Sequence, residues 1–135
     1  MANLSHFEIQ KAIFQLLISD TTLMNLVDGV YDRVTEGAAY PYVTVGEAVS
    51  REWSTKTTNG QQILLTLHIF SRSGGRKQTA EIMDRIYALL HQGTLSLEGH
   101  TLVAMRFEFG DITLEQDQLT YHGAIRFRAF TEELV

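Results

Sequence analysis

Apolar and polar residues alternate in two rhythms along this 135-residue chain. The first is helical: Ile9, Ala12, Ile13, Leu16 and Leu17 fall on one stripe. Ser5 and Glu8 have capping-box spacing just ahead of it, so both side chains are expected to close free amides at a helix start. Asp20 is placed to cap a short second helix through Leu26, with Gly29 as its stop. The second rhythm has period two. Strands are predicted over residues 30–34 and 42–49, with Pro41, which lacks an amide donor, at the first position or on an edge. The strongest strand is 63–70, where Ile63, Leu65, Leu67 and Ile69 share one face and Leu64, Thr66, His68 and Phe70 the other.

Residues 50–62 are polar apart from Trp53 and contain Asn59-Gly60, a favoured turn pair, so they read as a long hairpin arm or a mobile loop. Gly74-Gly75 breaks the chain before another helix, with Ala80, Met83, Ile86, Tyr87 and Leu90 as its stripe. Glu81 and Arg85 can pair there at i,i+4, and Gly93 ends it. Short strand 95–97 and strand 102–109 follow. Val103, Met105, Phe107 and Phe109 are expected on one side of the latter, Arg106 and Glu108 on the other. After an acidic loop at 111–118, a last strand runs over about 119–130. There Ile125, Phe127 and Ala129 alternate with Arg126, Arg128 and Phe130.

Helix, three strands, helix, two or three strands is a grouped order rather than a strict alternation. It predicts an α+β fold: a mostly antiparallel sheet of four to six strands with two main helices packed on one face. The second sheet face stays half apolar and needs a partner. No internal repeat, low-complexity tract or linker divides the chain, so residues 1–135 are expected to form a single domain.

Composition narrows the function. Hydrophobic content of 44% and charged content of 20% are ordinary for a globular protein. The absence of cysteine excludes a disulfide framework and a cysteine metal site, and fits a reducing cytoplasm. Residues 1–6 show no basic, apolar leader pattern, and no apolar run approaches the ~20 residues that span a bilayer. A formal charge of −5 argues against free nucleic-acid binding.

Candidate chemistry is sparse. His6, His68, His91, His100 and His122 have no paired spacing on one element, so neither a metal nor a catalytic set is expected. His68 and His122 can lie on adjacent strands, pointing the same way, as polar residues of a face that meets a partner. Residues 71–77 combine Arg72, Arg76 and Lys77 with two glycines, but lack the phosphate-loop pattern and read as a solvated turn. No nucleophile elbow or zincin motif occurs. Trp53 either folds back onto its own sheet or anchors an interface, and Tyr40 and Tyr42 carry the same two readings. Arg33, Arg126 and Arg128 read as ion-pair donors between subunits or as ordinary solvent-facing strand residues.

Taken in order, Val30-Tyr31-Asp32-Arg33-Val34, Tyr40-Pro41-Tyr42-Val43-Thr44-Val45-Gly46, Leu67-His68-Ile69-Phe70-Ser71-Arg72 and His122-Gly123 with Arg126-Phe127-Arg128 resemble the tail-completion (tail terminator) family of long-tailed phages, prophages and gene transfer agents. The resemblance implies a virion assembly protein, not an enzyme. Such a protein forms a ring, commonly a hexamer, on the last layer of tail-tube protein, stops tube growth and offers a joining surface to head–tail connector proteins. DNA passes through without specific binding. The implied location is the virion tail, and the host cytoplasm before assembly, with no membrane and no cofactor. The expected interface residues are Arg33, Tyr40, Pro41, Tyr42, Trp53, His68, Phe70, His122, Arg126 and Arg128. Two alternatives stay open: another head–tail connector or tail-tube component, and an enzymatic or small-molecule-binding α+β domain built on His68 and His122.

Overall fold

Alternation at Ile63, Leu65, Leu67 and Ile69 aims four fully buried side chains at one side of β3 (Gly60–Ser71), and Ile125, Phe127 and Ala129 do the same on β6 (Tyr121–Glu133). These two strands pair antiparallel along their whole length and form the middle of a six-stranded sheet. The computed structural model describes residues 4–134. Met1, Ala2 and Asn3, part of the segment read for a leader, lie outside the described residues, as does Val135. The other strands are β1 (Gly29–Tyr31), β2 (Tyr42–Glu52), β4 (Ser96–Leu97) and β5 (His100–Leu114), in the spatial order β1-β2-β3-β6-β5-β4. Only β1 and β2 run parallel.

The helices are α1 (His6–Ser19), α2 (Thr21–Leu26) and α3 (Lys77–Leu90). Ile9, Ile13 and Leu17 of α1, Leu23 of α2 and Ile82, Ile86 and Leu90 of α3 join the β3 and β6 side chains in one core. The fold is therefore α+β, with the two main helices on one face of a mostly antiparallel sheet. At Gly123 an added Cβ would meet Thr79 Cγ2 at 2.6 Å and Met83 Sδ at 3.0 Å, so the missing side chain is what lets α3 lie close on β6.

Several local expectations are corrected by tertiary contacts. Ser5 stands at the N-cap of α1, but its side chain makes no capping hydrogen bond. Its fully buried hydroxyl contacts Thr131 Oγ1 at 2.7 Å and donates to Gln61 Oε1 at 2.9 Å, tying the helix start to β6 and β3. Glu8 pairs with Lys11 instead. Gly29 opens β1 rather than ending α2, and β1 stops at Tyr31, short of Val34. Residues 50–62 are the end of a hairpin arm rather than a mobile loop: β2 runs to Glu52, β3 begins at Gly60, and Ser50, Arg51 and Glu52 pair with Ile63, Gln62 and Gln61. Strand β5 continues through Leu114, shrinking the expected acidic loop, and β6 covers 121–133.

Strand β5 also changes phase. Register shifts between Leu102 and Ala104 and between Phe107 and Phe109 mark bulges, each adding one unpaired residue. Met105 and Phe107 stay on the helix side opposite Ala129 and Phe127, while Phe109 crosses to the far side opposite Arg126. In α3 the buried stripe is Thr79, Ile82, Ile86 and Leu90, with Met83 packed beside it, and Tyr87 is turned outward.

Arg85 does not pair with Glu81. Its Nε and Nη2 donate to the two oxygens of Asp20 at 2.8 and 2.6 Å. Asp20 Oδ2 also accepts from the Leu23 amide at 2.8 Å, so one carboxylate caps α2 as expected and clamps α3 as well. Hydrogen bonding to Arg85 holds the Asp20 carboxyl below its ordinary value. Its contribution to stability is thus present above the ordinary aspartate range and is lost as pH falls through the lower folded value. Asp20→Ala is expected to lower the unfolding free energy by about 1–2 kcal/mol, the usual loss for an N-cap. Asp20→Asn, which can still cap, should lose less. Urea denaturation of the two variants checks the order.

Candidate interaction surface

With all three helices on one side, the far side of the sheet carries no helix among the described residues. Tyr42, Thr44, Leu64, Thr66, His68, Phe70, His122, Arg126, Arg128 and Phe130 face it, as the registers of β2, β3 and β6 require. Of the sequence-predicted interface residues, the structure gathers Tyr40, Pro41, Tyr42, His68, Phe70 and His122 at one end. Arg126 and Arg128 stand on the same face, and Trp53 at its other end. Arg33 is the exception: it is exposed in the loop between β1 and β2.

The gathered end is a run of stacked rings. Tyr42 stacks on Phe70 with centroids 5.2 Å apart, and Phe70 on His122 at 4.5 Å and 14°. Tyr40, joined to Pro41 by a cis peptide bond, lies 5.1 Å from Tyr42, and Tyr31 meets Tyr42 edge-on at 5.9 Å. The Arg72 guanidinium sits 4.2 Å from the Tyr40 ring centroid, a cation–π geometry. Its Nε donates to Thr120 Oγ1 at 2.9 Å. The neighbouring Asp117 carboxyl, hydrogen-bonded by the Thr120 hydroxyl and the amides of Thr120 and Leu119, is held down at about 2. The basic turn at 71–77 thus spends its first arginine on the protein's own rings.

The two histidines converge. His68 Nδ1 lies 2.7 Å from His122 Nε2, and His68 Nε2 lies 2.7 Å from Glu47 Oε1. The network assigns the protons: Nε2–H of His68 donates to Glu47, leaving Nδ1 to accept from Nε2–H of His122. His122 Nδ1 then faces Glu115 at 3.9 Å. The His68 ring rests over Gly46, where a Cβ would come within 2.7 Å of its Cδ2, so the bulged turn of β2 needs glycine there. Three of the four ring nitrogens are already engaged. Among the described residues no cluster of three or more histidine, aspartate or glutamate side chains could hold a metal ion.

Arg126 and Arg128 are partnered within the chain. Arg128 binds Glu108 through Nε at 2.9 Å and through Nη2. Arg126 Nε donates to Thr66 Oγ1 at 3.2 Å, with its guanidinium 5.6 Å from the Phe109 ring. Trp53 packs on Phe130 at 4.9 Å while keeping 39% of its surface exposed, so it folds back onto its sheet and still presents a rim. Sequence reasoning missed Tyr31, Glu47, Arg72 and Glu115. Arg72 had a signal in its basic, glycine-rich turn, and Tyr31 in its strand alternation. The two glutamates had none, because their partners are set by packing.

Comparison with known proteins adds the identity of the fold. Residues 11–132 match the family described as Tail completion protein gp17. The tail completion protein gp17 of Bacillus phage SPP1 is 30% identical over 120 residues, covering 89% of each chain. A solved structure of bacteriophage SPP1 gp17 covers 94% of this chain and 91% of that one, with a TM-score of 0.68 at 29% identity. A chain from the virion of a native gene transfer agent particle has the same fold, with a TM-score of 0.89 at 23% identity, covering 97% of this chain and 99% of that one.

Burial first, and the neighbouring His68 second, make His122 harder to protonate than a free histidine. The unfolded chain therefore holds more protons in that window. The stability tied to this residue is full above the ordinary histidine value and falls as pH drops through the lower folded one. His122→Phe keeps a ring on Phe70 and removes the titration. Its loss of unfolding free energy between about pH 7.5 and about pH 5 should be smaller than that of the parent protein. An undiminished loss, read by urea denaturation, assigns the acid sensitivity elsewhere.

Proposed function

The chain belongs to the tail completion protein gp17 family, and on that premise we propose that it ends a phage-type tail tube. In this reading one domain spanning 1–135 assembles with copies of itself into a ring, commonly six in the family it resembles. The ring sits on the last layer of tail-tube protein, stops polymerisation and offers a joining surface to head–tail connector proteins. DNA passes through without specific binding, in keeping with the net negative charge. The protein works in the virion tail after synthesis in the host cytoplasm, and no catalytic step, cofactor or metal is part of the reading.

The observation that carries it is the one-sided burial of the sheet. One face is sealed by helices. The other carries stacked rings, arginines and the exposed edge of Trp53 with no helix of the described chain above them. Aromatic and arginine side chains dominate contact surfaces between proteins, so Tyr40, Pro41, Tyr42, Trp53, His68, Phe70, His122, Arg126 and Arg128 are proposed as contact residues, with Arg33 at a separate site. Tube growth is head-to-tail stacking without closure, and it ends when the exposed layer is covered by something that does not propagate. A non-propagating ring meets that need.

Deleting the gene from its element should leave tails that are overlong or lack heads, measured by electron microscopy of lysates. Tails of normal length carrying heads would end the proposal. Purified protein should give single rings at most. Self-assembly into long tubes would favour the tail-tube reading instead.

A further inference from the structure

The two lateral margins of the sheet are finished differently. Past the three-residue β1, outward carbonyls of β2 are covered from within the chain: His6 Nε2 donates to the Ala48 carbonyl at 2.8 Å and Gln10 Nε2 to that of Gly46 at 3.0 Å. At the other margin β4 pairs only with His100 and Thr101. The Gln92 amide then donates to the Met105 carbonyl, and the Phe107 amide to His91 Nδ1. From there to Leu114, the outer side of β5 has no strand beside it among the described residues. Residues of a strand that share a face also share the side to which their backbone groups point. Met105 and Phe107 have that phase, and past the bulge it passes to Gly110, Ile112 and Leu114. A hollow of about 400 Å³ adjoins this margin between α3 and β5, lined by Met83, Tyr87, Phe107 and Ile112 with Asp84 and Asp111 on its rim. Neither aspartate has an ion-pair partner among the described residues.

The opposite margin carries a strand left half made. Residues 30–34 have strand alternation, yet their pairing stops at Tyr31. Asp32, Arg33 and Val34 are exposed, and Arg33 has no ion-pair partner among the described residues. Carrying the alternation onward puts Val34 on the helix side with buried Val30 and Arg33 on the far side with Tyr31. Ile112 and Asp111 of β5 present the same two chemistries on the same two sides.

We propose that residues 32–34 of one copy extend β1 into a strand that pairs with the outer side of β5, at 110–114, in a second copy. Laid alongside with the helices on the same face, β1 runs antiparallel to β5, so Val34 seats opposite Ile112 in the hollow against α3, and Arg33, opposite Thr113, reaches diagonally to Asp111 on the same face. Main-chain hydrogen bonds supply the affinity and the alternate side chains the register, as in strand addition generally. Unlike margins meet, so the contact is head-to-tail and can close a ring. The inference rests on the ring reading and names its lateral contact.

The chain has no cysteine, so introduced thiols report cleanly. Arg33→Cys and Asp111→Cys variants, co-assembled on tails of the encoding element, are treated with a short bismaleimide. The expected result is a cross-linked dimer from the mixture and none from either variant alone, while the double variant gives a ladder of multimers. Cross-linking by Asp111→Cys alone, at the mixture's yield, would mean that β5 meets β5 and overturns the contact. Normally capped tails with no 33–111 product also overturn it while leaving the terminator reading intact. Unchanged tail length after gene deletion would instead remove the terminator reading. Ile112→Pro deletes one outward amide and leaves the β5–β6 ladder whole. It should weaken ring assembly about tenfold or more with an unchanged urea midpoint; unweakened assembly overturns the pairing.

Discussion

Packing of α1 and α3 over the alternating side chains of β3 and β6 is the interaction on which the other features depend. Ile63, Leu65, Leu67, Ile69, Ile125 and Phe127 are all but completely excluded from water on that side. Each such side chain contributes roughly 1.5–3 kcal/mol relative to exposure. Gly123 allows the close approach of α3, and Asp20 fastens α3 to the α1–α2 corner. The described helices supply one cover, and a sheet has two faces. The second face is consequently built from residues that tolerate partial wetting: imidazoles, arginines on threonine or glutamate, and rings stacked on rings.

Much of this was legible in the sequence wherever periodicity is local. The β3 alternation, the α1 stripe and the Asp20 cap stand in the structure as read, and so does the grouping of elements into an α+β fold. The bulges of β5 were not legible, since an added residue leaves the run of apolar letters unchanged while reversing the phase of everything after it. That is why Phe109 was assigned to the wrong side. Ser5 and Arg85 failed for another reason: both had a plausible neighbour in sequence, and a tertiary partner with better geometry took its place. In the candidate surface, His68 and His122 were readable as neighbours because their strands are adjacent. Their flanking glutamates were not, because a loop and a bulge bring them in.

The resulting surface is held together by its own side chains. His68 spends both nitrogens on Glu47 and His122, Arg128 is committed to Glu108, and Arg72 is divided between a ring and a hydroxyl. Groups so engaged are held in one arrangement.

Strand β6 occupies the centre of the sheet although it is the last of the six to be synthesised. Until residues 121–133 leave the ribosome, β3 lacks the neighbour along its entire second margin, and the strand pairing of β5 is limited to the two residues of β4. The sheet of the nascent polypeptide therefore stays in two parts until this strand emerges, and closes around a late-arriving keystone. Long-range pairing of this kind slows folding, and a product cut short before β6 lacks the strand that joins the two parts of the sheet.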